Sequence, residues 1–234
     1  MLKELKERVW RANLDLVEHG LVLLTFGNAS GFDRKAGLMV IKPSGVSYAK
    51  MRPADMVVVG LDGRVAEGRL NPSSDTPTHL ILYKTFHDIG GISHAHSENA
   101  TAFAQARREI PCLGTTHADY FNGPVPVTRP LTAKEVRSDY EGNTGRVIIE
   151  RFAGLKPLEM PAVLVAGHGP FTWGRTPGEA VNNARVLEMS AKMAVMTFLA
   201  NARAKDLPSF LLKKHYARKH GPKAYYGQKT RSRT

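Results

Sequence analysis

The sequence is nearly free of cysteine and has no long apolar run. Cys112 is the single cysteine among 234 residues, so no disulfide can form within the chain and a reducing cytoplasm is expected. Burial as a small hydrophobic side chain is the expected role of this thiol. No apolar run approaches the roughly 20 residues that cross a bilayer, and the mixed charges of the first residues exclude the apolar core of a signal peptide.

Nucleotide and nucleic-acid motifs are also missing. The sequence has neither a Walker loop nor a dinucleotide fingerprint, so a nucleotide cofactor is not expected. The net charge of +12 favours an anionic partner, but no zinc-finger spacing, repeat or aromatic RNA-binding motif accompanies it. Eight Lys or Arg and no acid follow Asp206, and residues 229–234 are predicted to form a disordered basic tail. A noncatalytic nucleic-acid-binding protein is therefore a distant alternative to an enzyme with an anionic small substrate.

The pattern of apolar residues predicts one α/β domain over residues 1–228, because no linker or low-complexity stretch precedes the tail. Helical spacing from Leu2 to Leu16 predicts an N-terminal helix that ends at His19-Gly20. Strands are predicted at 21–26, 38–42, 56–60 and 160–166 and around His94, and helices from about 76, 97, 132, 176 and 207. This irregular alternation predicts a layered sheet flanked by helices.

The pair His94-Ala95-His96 is the most informative feature of the sequence. In an extended strand, side chains two residues apart point to the same face, so both imidazoles are expected within about 7 Å along the strand. Alone, such a pair is more often a surface or hydrogen-bonded pair than a metal site. His117 and His168, each beside small residues at a turn, favour the metal. Three neutral imidazoles, His94, His96 and His168, with an open fourth position are a ligand set typical of catalytic zinc.

Three glycine- or serine-rich turns, at 27–31, 42–45 and 71–75, predict a phosphate site. Such turns supply converging backbone N–H groups and hydroxyls, and a predicted helix start after the third turn favours an anion there. Taken singly, each of these sequences is more often an ordinary turn than a phosphate site. The candidate residues in them are Gly27, Asn28, Lys42, Ser44, Gly45, Ser73 and Ser74.

Carboxylates and a C-terminal basic segment form a third group of candidates. Asp75 adjoins the serine pair, and Asp119 follows His117 after one residue. Either aspartate could orient a ligand or move a proton, although a turn-capping role is equally expected for Asp119 alone. His215 and Arg218 share a helix face at i, i+3 spacing.

Four strings together resemble the L-ribulose-5-phosphate 4-epimerases, which belong to the class II aldolase superfamily. They are HAHS from residue 94, GTTHADYF from 114, HGPFTWG from 168 and HYARKHGPKAYYGQ from 215. The resemblance runs from about Leu5 to Gln228, and the last string is specific to the epimerases. It implies an α/β/α sandwich with a mostly antiparallel sheet, assembled as a homotetramer with active sites at subunit interfaces.

The resemblance also implies a role for each candidate residue. Zinc is expected at His94, His96 and His168, with Asp75 at or next to the metal. Phosphate is expected at the three turns already named. Asp119 and Tyr226 match the acid–base pair of the family, with the tyrosine supplied by a neighbouring subunit. The last expectation is that His215 and Arg218 line that interface site.

The implied reaction interconverts L-ribulose 5-phosphate and D-xylulose 5-phosphate by breaking and re-forming the C3–C4 bond, since carbon 4 bears no acidic proton. The alternative from the same superfamily is a sugar-phosphate aldolase of the fuculose- or rhamnulose-phosphate type. Those aldolases share the histidines but carry glutamate at the position of Asp75. Aspartate at 75, together with Asp119 and Tyr226, favours the epimerase.

Overall fold

The computed structural model describes residues 2–227, so the predicted tail at 229–234 lies outside the described residues. Seven helices are found in this part of the chain: α1 Leu2–Glu18, α2 Thr76–Thr85, α3 Glu98–Gln105, α4 Thr115–Ala118, α5 Ala133–Arg151, α6 Pro177–Ala200 and α7 Ser209–His220. The strands are β1 Asn28–Asp33, β2 Leu38–Ile41, β3 Val57–Gly60, β4 Val65–Glu67, β5 Gly91–His94, β6 Ala162–Leu164 and β7 Pro170–Gly174. Within residues 2–227, no helix has the length and apolar character needed to cross a membrane.

The strands form one sheet in the order β4-β3-β2-β1-β5-β7-β6, and every neighbouring pair is antiparallel. Side chains of β2 alternate between two cores, as the two-residue period of a strand requires. Met39 and Ile41 share a buried cluster with Leu82 of α2, whereas Val40 between them shares one with Val9 of α1. Helices therefore cover both faces of the sheet, which confirms the predicted α/β/α sandwich.

Most of the predicted helices are present, and their ends follow the capping rules. The Thr132–Glu135 sequence, which is typical of a capping box, forms one at the start of α5 and confirms the helix predicted from about 132. At the start of α6 the Thr176 hydroxyl accepts from the Glu179 N–H, but the Glu179 carboxylate accepts from the Arg175 N–H, so that box is not reciprocal. The last helix begins just after Pro208 and ends at the predicted Gly221.

The strand predicted at 21–26 is wrong, and the predicted turn at 27–31 is instead the start of β1. Leu23 and Leu24 are largely exposed, and Leu24 has a left-handed backbone with φ of 55°. In β1, small residues replace the usual β-branched ones because helices pack directly on this central strand. A Cβ on Gly31 would lie 2.7 Å from a Leu5 methyl carbon and 2.9 Å from a Val9 methyl carbon. Close packing therefore overrides the propensity of Asn-Ala-Ser-Gly for turns.

The strand register brings the ends of three central strands together at one edge of the sheet. Asn28 at the start of β1 pairs with His94 at the end of β5. His94 in turn pairs with Phe171, which is the second residue of β7. The turn that carries His168 enters β7 at this same edge. The antiparallel sheet thus places the histidines beside the first glycine-rich segment.

Candidate metal centre and adjoining cavity

Three imidazole rings converge at this edge of the sheet. The Nε2 atoms of His94 and His96 lie 3.0 Å apart, and those of His168 and His96 lie 3.1 Å apart. One ring nitrogen from each residue falls within 4.8 Å of the other two. The predicted strand ends at His94, so His96 does not share its face through strand alternation. The chain after β5 brings His96 back to the cluster instead.

Hydrogen bonds and burial keep these rings in a form that can bind a cation. The Nδ1–H of the buried His94 donates to the Pro170 carbonyl at 2.9 Å, which leaves the lone pair on Nε2. Burial, followed by the nearby His94 and His96, lowers the pKa of His168 to about 4. Burial and His94 also lower the pKa of His96. His96 and His168 are therefore neutral near pH 7.

The cluster fits a divalent metal. Lone pairs on nitrogens 3.0–3.1 Å apart repel one another unless a proton or cation lies between them. Three nitrogens at about 2.0–2.1 Å from one ion have spacings close to those found here. Because the ligand atoms open onto a cavity, the arrangement matches a catalytic rather than a closed structural site.

Asp75 lies at the start of α2 and lines the same cavity, but its carboxylate does not join the three-nitrogen cluster. The Oδ2 atom accepts from the Asn28 Nδ2–H at 2.6 Å. Burial raises the pKa of this carboxyl, but His94, His79 and the Asn28 amide outweigh that effect, so its pKa lies below the usual range. Asp75 therefore places an ionised carboxylate beside the histidines.

The three turns predicted to bind phosphate line one cavity of about 400 Å³ together with the histidines. Backbone bonds join the second and third turns, since the Ser73 N–H donates to the Lys42 carbonyl at 3.0 Å and the Ser44 N–H donates to the Asn71 carbonyl at 2.9 Å. Asn28 links the first turn to the third through a 3.1 Å bond to the Ser73 hydroxyl. All seven candidates line this cavity: Gly27, Asn28, Lys42, Ser44, Gly45, Ser73 and Ser74.

Lys42 is the basic residue of this cavity. Its side chain is buried, and its Nζ donates to the Pro43 carbonyl at 3.2 Å and lies 4.8 Å from the centre of the Tyr48 ring. Burial lowers its pKa. Within residues 2–227, no carboxylate forms an ion pair with Lys42. The charge of the ammonium group is thus available to an anion in the cavity.

A second group of predicted residues lies around Asp119, away from this cavity. The Asp119 carboxylate accepts from Arg218 Nε at 3.0 Å and Nη2 at 2.6 Å, and from His215 Nδ1 at 3.1 Å. Burial raises the pKa of Asp119, but Arg218 and His215 outweigh it and lower the pKa overall. Tyr226 is exposed, and the Arg218 guanidinium carbon lies 5.0 Å from its ring centre. None of these four residues lines the cavity that holds the histidines.

His117, which the sequence places among the candidate ligands, does not join the metal cluster. Its ring is buried, and its Nε2–H donates to the Gly123 carbonyl at 2.7 Å, which fixes the loop after α4. Burial lowers its pKa to about 4. The structure thus gives His117 a role in holding the segment that ends in Asp119.

Four residues that line the cavity were not predicted from the sequence: Thr25, Phe26, Tyr140 and Glu141. Tyr140 and Glu141 belong to α5. They follow Asp139, where helix α5 is interrupted by a non-helical backbone with φ of −165° and ψ of 77°. A sequence signal for this interruption is Asp139 followed by glycine at position 142, in a helix for which only the start, at about residue 132, was predicted.

Comparison with known proteins agrees with this geometry. Residues 7–195 match the family model of the class II aldolase and adducin N-terminal domain. The chain belongs to the class II aldolase family. A solved L-fuculose 1-phosphate aldolase is 30% identical over 92% of this chain and 95% of that chain, with a TM-score of 0.78. Class II aldolases typically depend on a divalent metal and act on sugar phosphates.

Two further class II aldolase structures share the fold. The L-fuculose-1-phosphate aldolase of Thermus thermophilus is 26% identical over 86% of this chain and 99% of its own, with a TM-score of 0.68. YgbL of Klebsiella pneumoniae, a proposed aldolase/epimerase/decarboxylase, is 25% identical over 92% of this chain and 98% of its own, with a TM-score of 0.71. These similarities extend over nearly the full length of each neighbour.

Proposed function

We propose that this class II aldolase family member is a zinc-dependent L-ribulose-5-phosphate 4-epimerase. The observation that carries the proposal is one cavity lined by both the three-histidine cluster and the three joined serine- and glycine-rich turns. A phosphorylated sugar fits such a cavity with its phosphate at the turns and its hydroxyl and carbonyl oxygens toward the histidines. Asp75, Asp119 and the C-terminal string that contains Tyr226 favour the epimerase within the family.

The chemistry of the substrate explains why this set of residues is useful. Carbon 4 of L-ribulose 5-phosphate has no acidic proton, so inversion proceeds by cleavage of the C3–C4 bond, rotation of the glycolaldehyde phosphate and bond formation on its other carbonyl face. His94, His96 and His168 would hold a divalent metal, which would supply Lewis-acid stabilisation of the negative charge that develops on bond cleavage. Lys42 and the turn N–H groups hold the phosphate, so that the fragment is retained during rotation.

Each carbonyl face needs its own group to hold and return a proton. Asp119 and Tyr226 fill these roles in the proposal, and His215 and Arg218 orient Asp119 through their direct bonds to its carboxylate. Since neither Asp119 nor Tyr226 lines the cavity of its own chain, the proposal includes a homotetramer in which Tyr226 completes the site of a neighbouring subunit.

A class II sugar-phosphate aldolase is the second candidate. The 30% identity to an L-fuculose 1-phosphate aldolase favours it. An aldolase uses the same bond cleavage but releases both fragments, so product release separates the two activities. Aspartate rather than glutamate at 75 and the Tyr225-Tyr226 ending are the features that favour epimerisation.

The test is to incubate zinc-loaded protein with L-ribulose 5-phosphate and follow the phosphorus and carbon NMR spectra. Formation of D-xylulose 5-phosphate until equilibrium supports the epimerase. Accumulation of free dihydroxyacetone and glycolaldehyde phosphate supports the aldolase instead. The His96→Ala variant, which lacks one nitrogen of the cluster, is the control and is expected to give neither product.

A further inference from the structure

Tyr140 contacts His168, one of the three residues of the cluster. Its hydroxyl lies 3.1 Å from His168 Nδ1, and the two rings are stacked at 21° with centroids 6.1 Å apart. The Nδ1 atom of His94 is instead bonded to the Pro170 carbonyl. Tyr140 thus takes the position at His168 that a backbone carbonyl takes at His94.

The protonation state of His168 sets the direction of this hydrogen bond. When Nε2 of a neutral imidazole faces a metal, the ring proton resides on Nδ1. With Nε2 toward a metal, Nδ1–H donates and the Tyr140 oxygen accepts, so the hydroxyl holds the orientation of the His168 ring. A phenylalanine ring would keep the stacking but lose this hydrogen bond.

The backbone around Tyr140 is held in place for this contact. The Asp139 carboxylate accepts from the Gly142 N–H at 3.2 Å and caps the second part of α5, which begins at Tyr140. A Cβ on Gly142 would lie 2.0 Å from an Asp139 carboxylate oxygen, so a larger residue at 142 would displace this carboxylate from its present position. The Thr144 hydroxyl donates to the Tyr140 carbonyl at 2.9 Å.

The Glu141 carbonyl, one residue further on, is tied to helix α2. It accepts from the Thr78 hydroxyl at 2.6 Å. This bond joins the interrupted helix to the element that begins beside Asp75. These hydrogen bonds therefore hold the backbone around Tyr140 in the position from which its side chain contacts His168.

We propose that Tyr140 is a positioning residue for the metal, whose hydroxyl fixes the ring orientation of His168 through its contact with Nδ1. The inference rests on the proposed metal-dependent function and adds to it a residue that acts through a ligand. Loss of such an outer partner typically weakens metal affinity by about 10- to 100-fold. We expect an increase of that size in the zinc dissociation constant of Tyr140→Phe.

The experiment measures zinc binding to full-length protein by competition with a chromophoric chelator, without substrate. Visible spectra of the cobalt-loaded forms report ligand geometry, and a shift of the d–d bands is expected in Tyr140→Phe. Thermal unfolding of the zinc-free variant is expected to match that of the wild type. Tyr216→Phe, which removes a hydroxyl from a different cavity, is the matched control and is expected to bind zinc like the wild type.

A Tyr140→Phe dissociation constant within about twofold of the wild-type value, with an unchanged cobalt spectrum, would overturn the role of Tyr140 and leave the metal site intact. Failure of the wild type itself to bind zinc would instead overturn the proposed function. The wild-type measurement therefore separates the two.

Discussion

Asn28 donates one side-chain N–H group to the Asp75 carboxylate at 2.6 Å and approaches the Ser73 hydroxyl at 3.1 Å with the same nitrogen. This amide connects the part of the cavity lined by the histidines to the part lined by the serine and glycine turns. Its Oδ1 atom is buried and has no partner among the described residues. A buried acceptor of this kind is suited to a donor on the substrate.

Asn28→Ala is expected to lower kcat/KM for L-ribulose 5-phosphate by about 10- to 100-fold, because hydrogen bonds to charged groups contribute about 1.5–3 kcal/mol. Steady-state kinetics measure the effect. Asn122→Ala removes an amide that also pairs with a carboxylate, Glu159, but at the surface, and is expected to retain wild-type kinetics. Equal kcat/KM values for the two variants would show that Asn28 does not contribute to the reaction.

Asp119→Asn is expected to lower kcat by about 10²- to 10⁴-fold, which is the usual contribution of a general acid or base. Its zinc content should equal that of the wild type, since Asp119 does not line the metal cavity. Kinetics and metal analysis on the same preparation check both statements. A variant with full turnover would show that the proton-transfer role is misassigned, and a loss of zinc would place Asp119 at the metal.

Subunit mixing tests where Tyr226 acts. Tyr226→Phe and His94→Ala are each expected to be nearly inactive, but mixed tetramers re-form complete sites wherever an intact His94 meets an intact Tyr226 of a neighbour. Random mixing in a four-membered ring restores up to about a quarter of wild-type activity. Activity is assayed after the mixed chains are unfolded and refolded together. Mixtures no more active than their parents would place both residues in one chain.

The candidate metal ligands and the turns at 42–45 and 71–75 could be predicted because they are encoded by local sequence. His94-Ala95-His96 is a short string, and the turns carry glycine and serine, whose conformational and hydrogen-bonding properties are local. Strand β1 could not be predicted, since pairing with β2 and β5 on both sides imposes the extended form on turn-favouring residues. That tertiary effect has no signal in the sequence of the strand itself.

Tyr140 and Glu141 were missed for a different reason. The capping box at Thr132 predicts where the helix begins, but it does not predict the interruption that the structure shows at Asp139. The interruption depends on a side-chain cap and on contacts with α2, which are formed only in the folded protein. Likewise, the separation of Asp119 from the histidines is set by the packing of α7 on α4.

Acid is expected to destabilise the metal-free protein through its buried histidines. Burial is the main reason why the pKa values of His79 and His117 fall to about 4 from 6.5. Between pH 6.5 and about pH 4 the unfolded chain binds protons at these histidines that the folded chain does not bind. The free energy of unfolding is therefore highest above pH 6.5 and decreases as the pH falls through this range. Each such proton contributes about 1.4 kcal/mol per pH unit.

Urea unfolding at pH 7 and pH 5 measures this slope. His117→Gln removes one titrating group and should show a shallower loss of stability between the two pH values. His87→Gln, on an exposed histidine, should keep the wild-type slope. A wild-type free energy of unfolding that does not fall toward pH 5 would contradict the linkage.

The central claim is that this family member inverts a carbon and retains the cleaved fragments. The most direct measurement compares kcat/KM of the zinc-loaded protein for L-ribulose 5-phosphate and L-fuculose 1-phosphate, with products identified by NMR. The account predicts conversion of L-ribulose 5-phosphate to D-xylulose 5-phosphate at a far higher kcat/KM than any cleavage of L-fuculose 1-phosphate. Efficient release of dihydroxyacetone phosphate and lactaldehyde from L-fuculose 1-phosphate, with no epimerisation of L-ribulose 5-phosphate, would contradict it.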